Sequence, residues 1–196
     1  MFETVRGKVA GGLRKLAGSR ALRRFMRQQE GVAAVEFALV ATPFLALTFA
    51  ILETAMVFFA GQTLEAAAAN SARLILTGQA QTAGFSKADF KTQVCNRIYG
   101  LFDCAGGLYV DVKNYSTSFS AVSTASPVTN GNLNTDSMAY APGGPGCITV
   151  VSLYYQWPIW VPTLGIGLSN LNGNFRLLQA TSVFRNEPYG GPNACS

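Results

Sequence analysis

The chain has 196 residues, 49% of them hydrophobic, with 15 Lys+Arg against 10 Asp+Glu, four cysteines and no histidine. That length holds one modest domain plus an extra segment. Residues 1–30 carry eight basic and two acidic side chains, a net +6, and residues 31–196 carry seven and eight, a net −1. A near-neutral folded part lacks the clustered Lys and Arg that phosphate binding needs, so no nucleic-acid partner is expected. Without histidine, Ser-His-Asp and Cys-His catalysis and every imidazole-dependent zinc site are excluded. No enzymatic activity, metal or cofactor is expected.

The leader, residues 1–31, places Arg6, Lys8, Arg14, Lys15, Arg20, Arg23, Arg24 and Arg27 among Val5, Val9, Leu13, Leu16, Leu22 and Phe25. It reads as a solvated basic arm or as an amphipathic helix on anionic lipid. Arg23-Arg24-Phe25 lacks the spacing and serine of a twin-arginine signal, and the apolar run that follows is too long for a signal-peptide core.

Phe37 to Leu52 is free of charge, and the apolar character resumes after Glu53. Residues 37–60 hold four Leu, two Val, five Phe and one Ile. On an insertion scale these contribute about −4 to −7 kcal/mol, against about +3 for one central carboxylate. The segment inserts if Glu36 sits at one edge of the hydrocarbon and Glu53 near the other. Eight basic residues precede the segment and Arg73 alone follows within twenty residues, so a single span with a cytoplasmic N-terminus is predicted. Pro43 should loosen this helix. An unbroken helix over 32–76 would be roughly 67 Å long against a hydrocarbon core of about 30 Å, so its second half must project from the membrane.

Ala34, Ala38, Thr42, Ala46, Ala50 and Thr54 recur at spacing four. Such a row of small residues either lets a second helix approach closely or reflects an alanine-rich composition. Glu53 lies about 260° around the helix from Glu36 and has no evident partner in the sequence.

Residues 77–196 are expected to form an extracytoplasmic α+β domain. Gln79 to Phe85 reads as a loop and Lys87 to Gly100 as a short helix. Leu108 to Tyr115 alternates as a half-buried strand, and Cys147 to Trp157 is rich in β-formers and stopped by Pro158. Phe175 to Arg185 suits a strand or a helix. Three such segments predict a small antiparallel sheet against the projecting helix.

Residues 114–146 hold ten Ser or Thr, four Asn, four Gly and one acidic residue, Asp136. They predict a long polar loop with a hairpin near Phe119 to Val122. Gly143-Gly144-Pro145-Gly146 and Gly165-Ile166-Gly167 do not meet the requirements of nucleotide-binding motifs. Tyr154, Tyr155, Trp157 and Trp160 form either a binding surface or strand-end packing. Cys95, Cys104, Cys147 and Cys195 all fall on the predicted outer side, where an even count points to disulfides. Of three possible pairings, Cys95 with Cys104 and Cys147 with Cys195 are favoured. A four-thiolate zinc site lacks any Cys-x-x-Cys pair.

Gly31-Val32-Ala33-Ala34-Val35-Glu36-Phe37 joins the leader to the apolar run. This junction resembles the processing site of type IVb prepilins and pseudopilins, where a membrane aspartyl peptidase cuts after the glycine. The stretch Gly31 to Arg73 resembles the TadE-like family of the tight-adherence (Flp) pilus system, and Arg185-Asn186-Glu187-Pro188 is similar to that family's ending. Phe37 stands where the type IVb pattern often has tyrosine. The resemblance implies a bacterial inner-membrane pseudopilin with its C-terminal domain in the periplasm. It also implies a prepilin peptidase and other pilus-assembly or pseudopilin subunits as partners, and a Glu36 that pairs with the Val32 ammonium of a neighbour. The alternative is an uncleaved single-pass protein with an extracytoplasmic binding domain, in which Glu36 only caps the helix start.

Overall fold

A computed structural model describes residues 29–98, 100–116, 118–123, 126–160, 167–190 and Cys195. The leader through Arg27 and the Gly165-Ile166 pair lie outside the described residues. The architecture is α+β: a long apolar N-terminal helix followed by a small antiparallel sheet domain. Two compact units divide at Phe49/Ala50, inside that helix.

Helix α1, Gln29–Leu76, has 48 residues, about 72 Å at 1.5 Å each. It begins three residues before Val32, so the last part of the leader is already helical, and it continues through Pro43. In its first part Leu39, Val40, Phe44, Leu47 and Phe49 are exposed. Only 6% of the most apolar 18-residue stretch is buried within the protein, which separates it from the core helix of a soluble domain.

In the second unit the helix turns from exposed to buried. Val57, Ala60, Leu64, Ala67, Ala68, Ala72 and Ile75 enter one core with Phe90, Val94 and the inner face of the sheet. Their spacing of three and four residues is that of one helical stripe. Gly78 ends α1 with φ +75°, and a Cβ there would meet the Tyr189 ring at 2.5–2.7 Å, so conformation and packing both reserve the position for glycine.

The loop expected over 79–85 is instead partly helical: α2, Gln79–Thr82, is a single turn. Gln81 holds it in place by donating from Nε2 to the carbonyls of Ile75 and Gly143. Helix α3, Lys87–Cys95, starts at a capping box in which Ser86 and Asp89 each accept from the other's backbone N–H. The Ser86 hydroxyl, donating to the Asp89 carboxylate at 2.6 Å, and then the Ser86 backbone N–H hold that carboxyl below its ordinary pKa. The helix stops at Cys95 rather than Gly100, where the Cys95–Cys104 disulfide ties it to the next turn with Cα atoms 5.8 Å apart.

Strands β1 (Leu108–Tyr115), β4 (Ile148–Pro158) and β5 (Phe175–Arg185) form one antiparallel sheet in the order β1-β4-β5. Strand β4 is central, and its first eight residues are buried on both faces. The polar stretch contributes a second small sheet, β2 (Val128–Thr129) with β3 (Asn132–Leu133). The hairpin expected near Phe119 is displaced to this pair, and Phe119–Ala121 is a 3₁₀ turn. Asn130 and Gly131 make the bend with positive φ, the geometry that an Asn-Gly pair favours in a two-residue hairpin.

The loop then returns over the β1 edge. Val112 donates to Ala139 O and Ala141 donates to Val112 O, while Asp111 accepts from Ala139 N at 2.8 Å. Asp111, placed by its alternation on the wet face of a half-buried strand, is therefore buried under the loop, with Lys113 at 2.9 Å. That contact raises the Lys113 pKa.

Tyr140 closes this strap with its ring 5.7 Å from Phe90, and its buried hydroxyl has no hydrogen-bond partner among the described residues. Burial pushes its pKa up to about 12, so the folded state keeps a proton that the unfolded chain releases above pH 10. Stability contributed by the neutral phenol is present below pH 10 and is lost between about 10 and 12. Tyr140→Phe is expected to leave stability at pH 7 unchanged or raise it by up to about 1 kcal/mol, and to remove the alkaline loss assigned to this residue. Urea unfolding at pH 7 and pH 11 measures both, and a clear destabilisation at pH 7 overturns the assignment.

Candidate functional site

The N-terminal junction lies within α1. Gly31 follows Gln29, the first described residue of the helix, by two positions. Val32, Glu36 and Phe37 are exposed, Phe37 by 74%. Val32 and Glu36 are four residues apart, one turn along the same face. Glycine costs a helix roughly 1 kcal/mol relative to alanine, so the peptide after Gly31 sits at a weak point of the helix. Lacking a Cβ, Gly31 also lets another protein approach that peptide closely.

Along α1 the small-residue row is continuous. Ala34, Ala38 and Thr42 are exposed, Ala46 is half-buried, Ala50 is buried and Thr54 is half-buried. Thr42 and Thr54 donate back to the carbonyls of Ala38 and Ala50 at 2.7 and 2.8 Å. Their hydroxyls are thus satisfied within the helix, and the exposed part of the row, Ala34, Ala38 and Thr42, presents a smooth, mostly apolar ridge; Ala50, expected to share it, is covered by the protein itself.

Glu53, for which the sequence offered no partner, accepts a hydrogen bond from the backbone N–H of Trp160, just beyond β4. The pair is 107 residues apart in sequence, so no local pattern reports it. The four aromatics of this region separate into two groups. Tyr154 and Tyr155 are buried, with the Tyr155 hydroxyl accepting from Asp103 N and its ring edge-on to Phe102 at 4.7 Å. Trp157 is half-buried beside them, whereas Trp160 is 82% exposed. Packing accounts for the first three, and Trp160 stands apart.

At the other end of the sheet the C-terminal segment is locked down. The Cys147–Cys195 disulfide is formed with Cα atoms 5.6 Å apart, so both favoured pairings are present. Beside it Asn186 is 2% exposed and fully used. Its Nδ2 donates to Pro142 O and Gly144 O at 3.0 and 2.9 Å, and Oδ1 lies 3.2 Å from the Thr149 hydroxyl. Its backbone exchanges bonds with Cys147 O and Gly146 N, and Glu187 N donates to Leu76 O. The Arg185-Asn186-Glu187-Pro188 ending is therefore a structural clasp that joins the sheet, the Gly-Pro turn and the end of α1.

A polar hollow of about 250 Å³ lies between the outer face of the sheet and the loop, lined by Asp111, Lys113, Ser152, Tyr154 and Gln179 among others. Its main polar groups are engaged: Asp111 as above, and Ser152 with Thr181 at 3.2 Å.

One candidate membrane helix among the described residues, followed by a disulfide-tied α+β domain, is the class of protein these features define. Residues 31–73 match the family described as TadE-like protein, beginning at the junction glycine and ending three residues before α1 does. The match covers 43 of the 196 residues, all of them within α1. No curated protein and no solved structure matches it.

Proposed function

We propose that the chain is a membrane-anchored minor pseudopilin-like component of tight-adherence pilus assembly, cut after Gly31 by a prepilin peptidase. The observation that carries this reading is the family match, which starts at Gly31 itself. Removal of residues 1–31 takes away all eight leader cations and creates an ammonium on Val32, one turn before Glu36. The positive end of the helix dipole and a neighbour's ammonium both favour a carboxylate there. In this reading the helix lies in the bacterial inner membrane with its N-terminus cytoplasmic and its disulfides in the periplasm. The small-residue ridge packs against other assembly subunits.

N-terminal sequencing of the protein from membranes of a peptidase-bearing host tests the reading. A start at Val32 supports it, an intact Met1 favours an uncleaved anchor, and a start beyond Ala60 sinks both. The ridge makes a separate prediction: Ala38→Leu is expected to leave membrane insertion intact and reduce co-purification with partner subunits several-fold. Crosslinking yields equal to wild type would remove the ridge from the interface.

A further inference from the structure

We propose that Trp160 is a second membrane contact, seating the β4–β5 end of the sheet in the headgroup region of the bilayer. The proposal rests on the reading of α1 as a membrane span. A hydrocarbon core of about 30 Å takes roughly 20 helical residues, so a span that enters near Phe37 leaves near Met56. Glu53 falls within one turn of that exit. Trp160 is fixed to this level because its backbone N–H is bonded to the Glu53 carboxylate.

The strand geometry agrees with this placement. From Glu53 to Leu76 the helix rises about 35 Å, and the eleven residues of β5 span about the same length. Glu187, just past β5, bonds to Leu76, and Trp160, just past β4, bonds to Glu53, so the sheet runs along the helix with its Trp160 end at the membrane exit.

The chemistry of this end suits a headgroup boundary. Trp160 exposes 82% of its surface although the neighbouring Ile159 is buried, and on the helix Phe58 and Phe59 are also exposed. No charged residue occurs between Asp136 and Arg176. Arg176 stands opposite Trp157 in the strand register, and its guanidinium donates to Leu168 O at 2.8 Å. An exposed amphipathic indole is the kind of side chain that anchors proteins at the membrane–water interface. The bond from Trp160 also gives Glu53 a donor at a depth where a bare carboxylate is costly.

The test uses the full-length protein in vesicles of phosphatidylethanolamine and phosphatidylglycerol, with Trp157→Phe leaving Trp160 as the sole tryptophan. Subtracting the spectrum of Trp160→Phe from wild type gives the same signal without relying on the first variant's folding. Expected are a blue-shifted emission, strong quenching by lipids brominated near the headgroup, weaker quenching by lipids brominated near the chain ends, and protection from acrylamide. Glu53→Ala should return part of the acrylamide quenching, and Glu53→Gln, which keeps an acceptor, should not. A protein that incorporates but keeps a hydrated, acrylamide-quenched Trp160 overturns the proposal and leaves the span intact. A protein that does not incorporate at all overturns the span reading and this contact with it. Protection that appears only when nanodiscs hold more than one copy assigns Trp160 to a second chain and overturns the lipid contact.

Discussion

Gly31→Leu is expected to abolish leader removal completely. Co-expressed with a prepilin peptidase, the wild-type protein should lose residues 1–31, and with them a net charge of +6 from a chain of net +5, leaving about −1 on its side chains. The isoelectric point should fall from about 9.2 to the acidic side, so focusing gels resolve the two species without ambiguity. The variant should keep its full mass and basic isoelectric point. A single unchanged species for both proteins would remove processing from the proposed function.

The physical reason lies in the turn of α1 around Gly31. The peptidase must hold the peptide after Gly31 in an accessible conformation, although the helix already includes it. Glycine weakens that turn and leaves space beside the peptide, whereas leucine stabilises the helix and fills that space. Glu36→Gln separates cutting from assembly. It should be cleaved like wild type, since it leaves Gly31 untouched. It loses its ion-pairing partner role, however, and incorporation into pilus complexes should drop about tenfold or more if that pair supplies even 1.4 kcal/mol.

How much of this was legible depended on the range of the interactions. The long apolar helix, strands β1 and β4 and the presence of disulfides follow from signals within a few tens of residues: a charge-free apolar run, alternation and an even cysteine count. Phe175–Arg185, ambiguous by composition because Leu177, Leu178 and Ala180 suit a helix, becomes a strand by pairing with all eleven residues of β4. The displaced hairpin is different. The Asn130-Gly131 signal is local, but it lies inside a polar stretch whose hairpin is expected about ten residues earlier, near Phe119 to Val122.

Asp111, Glu53 and Asn186 were out of reach for a third reason. The partners of Asp111 and Asn186 are chiefly backbone groups 28 to 44 residues away, and that of Glu53 is 107 away. A backbone N–H or C=O carries no residue identity, so no pattern of side chains announces it. The candidate site was thus legible where it depends on the helix, and illegible where the fold closes back on the helix.

That closure makes the second large prediction. Asn186→Ala is expected to destabilise the α+β domain by about 2 to 4 kcal/mol, because it strips donors from the Pro142 and Gly144 carbonyls and a partner from the buried Thr149 hydroxyl. No water replaces them easily at a site 2% exposed. Cys195→Ser opens a loop with a sequence separation of 48 and should cost about 3 to 5 kcal/mol by loop entropy. Both changes act on the same turn, since Asn186 N donates to the carbonyl of Cys147, the disulfide partner of Cys195. Their costs should therefore not add: once the tail is released, part of the hydrogen-bonded clasp is already lost, and the double variant should fall short of the sum by about 1 kcal/mol or more. Urea unfolding in detergent micelles, followed by the near-ultraviolet dichroism of the buried tyrosines, gives the three differences. Strict additivity would mean that the disulfide acts only on the unfolded chain and that Asn186 alone holds the turn. A shortfall means that the C-terminal ending works as one clasp, which keeps the sheet fixed to the end of α1.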